Sequence, residues 1–105
     1  MKFIITESQK DKTIFKYLDN RDLVVIGYGD NLYFVNSEED EFAQIKFNDI
    51  SKWCTIGRDL MNEIASFFSL TNIDSISVIA DWVKSKLGGD FRTVDVEREI
   101  IVRYF

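Results

Sequence analysis

The sequence has no histidine, no proline and only one cysteine among its 105 residues. Histidine is the commonest general base and metal ligand, so its absence excludes Ser-His-Asp and Cys-His catalytic arrangements. Zinc sites built from cysteine and histidine are excluded for the same reason. Cys54 alone cannot form an internal disulfide, and a reducing compartment is the simpler expectation. We therefore predict no enzymatic activity, no metal and no cofactor.

Long hydrophobic runs are also absent. The opening MKFIITE is too short to be the apolar region of a signal peptide, and no segment approaches the length of a membrane span. We expect a protein that is soluble and intracellular, with no membrane partner. The chain is 46% hydrophobic and 14% aromatic, which is enough for residues 1–105 to form a single domain around one core.

Basic residues are scarce, and the formal net charge is −5. The acidic excess lies between Gly27 and Asp49, where Lys46 is the only basic residue. The acids of this segment are Asp30, Glu38, Glu39, Asp40, Glu41 and Asp49. A phosphate backbone requires a basic stripe, so we expect no specific nucleic acid. The charge permits a protein partner with a basic surface.

Two amphipathic helices in a row are predicted over 57–89, as a helical hairpin packed on a sheet. The apolar residues of the first helix are Leu60, Met61, Ile64, Phe67 and Phe68. Those of the second are Ile73, Ile76, Ile79, Ala80, Val83 and Leu87. Thr71 or Asn72 is the predicted N-cap of the second helix, and Gly88 and Gly89 are its predicted stop.

The chain before these helices predicts strands and one further helix. Phe3–Thr6 is a short apolar strand, and Thr6 begins a capping box for a helix to about Asn20. That helix is expected to bury Ile14, Leu18 and either Phe15 or Tyr17. Leu23–Tyr28 and Leu32–Val35 form a hairpin across Gly29-Asp30-Asn31. Both strands are apolar on both faces, so we expect a cover on each side.

Later segments complete the predicted sheet. Phe42–Phe47 buries Ala43, Ile45 and Phe47, and its one wet face suggests a place near an edge. Between Asn48 and Ile56 we assign no strand but expect Trp53 and Ile56 to anchor the segment to the core. Arg92–Phe105 alternates as one long strand, turned or bulged near Glu97-Arg98. The order β-α-β-β-β-α-α-β predicts an α+β fold with a mainly antiparallel sheet.

Two patches of sequence carry a resemblance to a group of proteins. One is the apolar strand that runs into ITESQ; the other combines Phe67-Phe68, Ser69–Asn72, Ile79, Trp82 and Leu87-Gly88. Together they resemble small uncharacterised proteins of tailed phages, especially marine phages and those of Bacteroidetes. The resemblance implies a phage origin, and hence a location in the host cytoplasm or the virion. It implies no activity.

Several patterns suggest sites that we weigh against a purely structural reading. The helix pair echoes a helix-turn-helix, but the turn is about one residue too long and the second helix begins with Asp74 and lacks arginine. Ser37–Glu41 offers hard oxygen donors for a divalent cation, yet it has no EF-hand spacing and reads as a solvated turn. Cys54 has no histidine to activate it and is expected to be a small buried hydrophobe. Gly27-Tyr28-Gly29 precedes a strand, which excludes a dinucleotide loop.

The remaining expectation is a non-enzymatic protein-binding module, either a minor particle component or a host-directed accessory factor. The alternatives are an acidic inhibitor that blocks a nucleic-acid-binding groove, which needs its acids on one exposed face, and a helix-turn-helix regulator. A homo-oligomer is compatible with all three. Trp82 is expected either as an exposed anchor or as cover for the core edge. The candidate interaction residues are Tyr28, Asp30, Tyr33, Phe34, Glu38, Glu39, Asp40, Glu41 and Trp82.

Overall fold

The computed structural model describes residues 7–102, with side chains from Lys10 onward. The predicted strand Phe3–Thr6, its capping box and the end of the last predicted strand lie outside these residues. The helices are α1 (Glu7–Asp19), α2 (Arg58–Phe67) and α3 (Asn72–Leu87). The strands are β1 (Val24–Tyr28), β2 (Asn31–Val35), β3 (Phe42–Ala43), β4 (Ile45–Asn48), β5 (Trp53–Gly57), β6 (Thr93–Glu97) and β7 (Ile100–Ile101).

Within residues 7–102, five strands form the main sheet in the order β1-β2-β4-β5-β6, and β3 pairs with β7 in a separate mini-sheet. All pairs are antiparallel except β5 with β6. A parallel pair needs a long crossover, and here α2 and α3 supply it. The predicted α+β class, the mainly antiparallel sheet and the helical hairpin packed on it are confirmed.

One face of the main sheet lies under the three helices. Its side chains alternate along each strand with those of the opposite face, as the two-residue period of a strand requires. The buried sheet residues of this helix core are Phe34, Ile45, Phe47, Cys54 and Ile56. The helices add Ile14, Leu18, Leu60, Met61, Ile64, Val78, Ile79, Trp82 and Val83. Ile14 and Leu18 are therefore buried as predicted, and both Phe15 and Tyr17 pack partly against this core.

The mini-sheet covers only part of the opposite face. Ala43, Ile100 and Val102 pack there against Tyr33 and Val35 of β2 and form a second, smaller core. The expectation that the hairpin strands are covered on both sides thus holds for β2. It does not hold for the whole of β1, because Val25 is half exposed.

The predicted strand Phe42–Phe47 is two strands, because the chain leaves one sheet for the other at Gln44. The backbone N–H of Gln44 donates to the carbonyl of Phe34 at 2.8 Å, and its own carbonyl accepts from Gly57 at 2.8 Å. The prediction that this segment lies near an edge was wrong, since β4 lies between β2 and β5 in the sheet. Its wet face exists because the mini-sheet leaves the opposite face of β4 uncovered.

The predicted last strand is also divided, and the break falls where the sequence suggested. β6 ends at Glu97 in the main sheet and β7 begins at Ile100 in the mini-sheet. Val94 and Val96 of β6 pack against the helix core, whereas Ile100 is buried in the smaller core. The two halves therefore serve different cores.

β5 was not predicted, and one of its two expected anchors was wrong. Ile56 is fully buried, but the side chain of Trp53 is 44% exposed on the opposite face of the strand. In α2 and α3 the apolar stripes are narrower than predicted, because Phe67 and Ile73 are exposed beside the turn. The Thr71 hydroxyl accepts from the N–H of Asp74, which confirms the cap, and Gly88 ends α3 with φ at 74°.

Candidate protein-binding surface

Three of the predicted interaction residues, Tyr33, Phe34 and Trp82, are buried and cannot serve as surface anchors. Tyr33 and Phe34 are adjacent in β2, so their rings point to opposite faces, and each is only 1% exposed. Tyr33 belongs to the smaller core and Phe34 to the helix core. The prediction that Tyr33 and Phe34 anchor a partner is therefore corrected. Tyr28 is half-buried beside the ring of Tyr33 at the same end of the hairpin.

Trp82 is a core residue, which decides between the two roles expected for it. Its ring packs on Phe34 with the centroids 5.5 Å apart, and its Nε1 donates to Oδ1 of Asp19 at 3.0 Å. Nζ of Lys86 lies 2.6 Å from the same oxygen. These hydrogen bonds, first that from Lys86 and then that from Trp82, lower the pKa of Asp19. The contact joins the end of α1 to α3.

The predicted acids do not lie together. Asp30 is in the β1–β2 turn, where its carbonyl accepts from the N–H of Asp49 at 2.9 Å. Glu38–Glu41 follow the other end of β2. A five-residue strand spans about 17 Å, so it separates the two groups. The acidic-inhibitor alternative needs these acids together on one exposed face, and in the structure they form two separate groups at opposite ends of β2.

The acidic turn has a defined structure of its own. Oδ2 of Asp40 accepts from the N–H of Ser37 at 2.9 Å, and the N–H of Asp40 donates back to the carbonyl of Ser37 at 3.0 Å. Asp40 is half-buried and holds the turn closed. The other three acids, Glu38, Glu39 and Glu41, are exposed. The turn therefore exposes three carboxylates on a hydrogen-bonded backbone.

Two exposed apolar side chains adjoin this turn, and the sequence reasoning missed both. Phe42 and Ile101 are direct partners in the mini-sheet and are 45% and 49% exposed. The N–H of Val102 donates to the carbonyl of Glu41 at 2.9 Å, which fixes the pair beside the turn. We call these five residues the acidic-apolar surface: Glu38, Glu39, Glu41, Phe42 and Ile101.

The alternation of buried and exposed residues along the two strands gives a signal for Phe42 and Ile101. Phe42 has the opposite parity to the buried Ala43, Ile45 and Phe47, and Ile101 falls between the buried Ile100 and Val102. Strand parity alone places both on an outer face. That they face each other could not be read from it, because β3 and β7 are far apart in the chain.

The other sequence-derived candidates receive structural roles. Cys54 is fully buried, and burial followed by the charge of Asp95 raises the pKa of its thiol to about 12, so the expected small hydrophobe is confirmed. Gly29 and Asp30 form the two-residue turn of the β1–β2 hairpin. The inner side of α3 is taken up by the core, and the residues left exposed in its first turns include Asp74 and Ser77.

Within residues 7–102, no three side chains of metal-ligating type come close enough to hold an ion. No helix in that same range combines the length and apolar character needed to cross a membrane. No protein-family model, no curated protein and no solved structure matches the chain.

Proposed function

We propose that the protein is a non-enzymatic protein-binding module that contacts a basic surface of a partner protein through its acidic-apolar surface. The sequence resemblance supports a phage origin for it. In that setting the module is a minor particle component or a host-directed accessory factor, in the virion or the host cytoplasm.

The observation that carries the proposal is the exposed pair Phe42 and Ile101. An aromatic and a branched side chain directly opposite each other in an antiparallel pair form one contiguous apolar contact. Aromatic anchors of this kind contribute a large share of interface energy when a partner covers them. Their inner neighbours Ala43 and Ile100 are fixed in the smaller core, so the pair is held on a rigid support.

The charges around the pair favour one kind of partner. Glu38, Glu39 and Glu41 lie at one end of the mini-sheet, and a cavity at its other end is lined by two acids, Asp59 and Glu99, and one base, Arg98. A rim of one sign steers a partner of the opposite sign and raises the association rate more than the final affinity. We therefore expect lysine and arginine on the partner around an apolar centre.

The double variant F42S/I101S tests the anchors, with V25S as its matched control. Val25 is also 45% exposed, but it lies on β1 and not on the mini-sheet. In lysate of cells that naturally produce the protein, the wild type and V25S should capture the same partner, and F42S/I101S should not. With that partner purified, the double variant should weaken Kd by about tenfold or more. Equal binding by all three proteins would contradict the proposal.

Removing the charges of Glu38, Glu39 and Glu41 tests the acidic rim around the apolar pair. The triple variant E38Q/E39Q/E41Q should slow association and flatten its dependence on salt while leaving dissociation nearly unchanged. An exposed apolar patch can also join two copies of the same chain, and analytical ultracentrifugation of the protein alone tests for such a dimer. A dimer that F42S/I101S dissociates would assign the surface to a second copy of the chain and would contradict the basic partner.

A further inference from the structure

The half of the opposite sheet face that the mini-sheet leaves uncovered forms a polar groove. Strand register places its side chains in rows, since Lys46 pairs with Thr55 and Thr55 pairs with Asp95. The neighbouring residues Trp53 and Glu97 point to the same face by the two-residue period. The space among them is about 220 Å³. We call this space the open groove and define it by Lys46, Trp53, Thr55, Asp95 and Glu97.

The groove contains a polar atom that is withdrawn from water and has no hydrogen-bond partner among the described residues. Thr55 is only 6% exposed and lines the groove. Oδ1 of Asp95 is buried and has no hydrogen-bond partner among residues 7–102. Buried polar atoms are normally paired, because leaving one unpaired costs about 1–3 kcal/mol. The unpaired carboxylate oxygen of Asp95 therefore calls for a hydrogen-bond donor.

The charge and the aromatic wall of the groove favour a cation. Asp95 and Glu97 contribute two negative charges and Lys46 contributes one positive charge, and none of the ion pairs within the described residues includes any of the three. Trp53 offers a partly exposed indole, the side chain that binds cations best through its ring face. The volume is below the roughly 300 Å³ at which pockets for drug-sized ligands begin, so it suits a single long side chain.

We propose that the open groove binds the guanidinium group of an arginine side chain presented by a partner protein. A guanidinium is planar, stacks on an aromatic ring and has five donors in a fixed fork. Those donors match the carboxylates of Asp95 and Glu97 and the hydroxyl of Thr55, after a turn of the Asp95 carboxylate about its soft terminal torsion. The inference rests on the proposed function only for the source of the arginine.

A small probe tests the groove without the partner. N-acetyl-arginine amide is titrated into the ¹⁵N-labelled protein, and N-acetyl-citrulline amide, which has nearly the same shape but no charge, serves as the control probe. We expect saturable shifts at the amides of Trp53, Thr55 and Asp95 with arginine only, and quenching of a fluorescence component that W53F removes. Absence of saturable shifts up to about 10 mM arginine probe, or equal shifts with citrulline, would overturn the proposal.

Three single variants are expected to change the affinity for the arginine probe, two of them downward and one upward. D95N should weaken arginine binding about tenfold because it removes a charge-assisted hydrogen bond, and E97Q should weaken it less. K46Q should tighten binding, since it removes the one repulsive charge. If K46Q weakens binding instead, Lys46 is not a repulsive charge in the groove and the proposal fails. Thermal unfolding of each variant confirms that it is folded.

The double variant F42S/I101S separates this inference from the proposed function. It should bind the arginine probe like the wild type, because the mini-sheet anchors do not line the open groove. If it loses both the partner and the probe, the groove is not an independent site and the inference is wrong. If D95N loses the probe but F42S/I101S keeps the partner, the groove stands and the proposed surface fails.

Discussion

At the scale of the residue, two aromatic side chains of similar size, Tyr33 and Phe42, differ in burial and therefore in role. Tyr33 is buried in the smaller core, whereas Phe42, on the strand that covers that core, is 45% exposed. Tyr33→Ala should lower the free energy of unfolding by about 3–5 kcal/mol, as the loss of a buried aromatic ring does. Phe42→Ala should change it by less than about 1 kcal/mol. Urea denaturation of both variants measures the difference, and similar losses would contradict these placements.

Asp19 gives a pH dependence with a definite sign. Its pKa is lowered from the ordinary 3.8 by the hydrogen bonds from Lys86 and Trp82, so the folded state favours the charged carboxylate. The resulting stability is present above the unfolded pKa and is lost as pH falls through the folded pKa. Asp19→Asn should therefore be less stable than the wild type at pH 7, and the gap should narrow below about pH 4.

The expected gap is small, about 0.5–1 kcal/mol, because Asp19 is exposed and water screens its charge. Asp11→Asn is the matched control, since Asp11 is exposed on the same helix and forms none of the ion pairs among the described residues. A gap for Asp19→Asn that stays constant from pH 7 to the acid limit would show that its contacts do not favour the charged form.

At the scale of the element, the crossing of the chain at Gln44 depends on one glycine. A Cβ added to Gly57 would lie 3.0 Å from the carbonyl oxygen of Gln44, whereas one added to Gly89 would meet nothing within 4 Å. Gly57→Ala should destabilise the protein by about 1–3 kcal/mol through this overlap. Gly89→Ala should be neutral or slightly stabilising, because alanine restricts the unfolded chain. Equal effects in thermal unfolding would contradict the close approach.

The same elements show what sequence can and cannot predict. The bounds of α3 followed from local determinants, namely the Thr71 cap, the helical spacing of its apolar residues and the Gly88 stop. The break at Gln44 did not, because it is set by hydrogen bonds to residues distant in the chain. β4 was placed at an edge because Lys46 indicated a wet face; the face is wet because the mini-sheet is too small to cover it.

For the candidate surface, the acidic turn was visible in the sequence and its apolar anchors were not. Tyr33 and Phe34 were favoured because they are aromatic and close to the hairpin. Tyr33 is buried by the pairing of β3 with β7 and Phe34 by the packing of the helices on the sheet, and no local pattern reveals either contact. The open groove has the same origin, because its residues come from three strands that only the sheet register brings together.

At the scale of the whole molecule, two cores share one sheet. Phe34 and Tyr33 are consecutive in β2 and belong to different cores, so we expect the two cores to open together through β2. A domain of this size normally unfolds in one transition. Cys54, buried in the helix core, reports such opening through its labelling by a thiol reagent.

Three isoleucine variants test whether the helix core and the smaller core open together. Ile79→Ala in the helix core and Ile100→Ala in the smaller core should each speed Cys54 labelling by about 30-fold or more, matching a loss of at least 2 kcal/mol. Ile50→Ala should leave the rate unchanged, because Ile50 is 73% exposed. If Ile100→Ala lowers the hydrogen-exchange protection of the mini-sheet but leaves Cys54 labelling as slow as in the wild type, the two cores open separately.

The two outer strands of the main sheet differ as templates for aggregation. β6 carries Asp95 and Glu97, charges that oppose the addition of a further strand at a sheet edge. β1 reads VVIGY, carries no charge and has β2 as its one neighbour among the described residues. Chains that meet during heating should therefore join first along β1. Val25→Lys should delay the onset of turbidity, whereas Thr93→Lys on β6 should not.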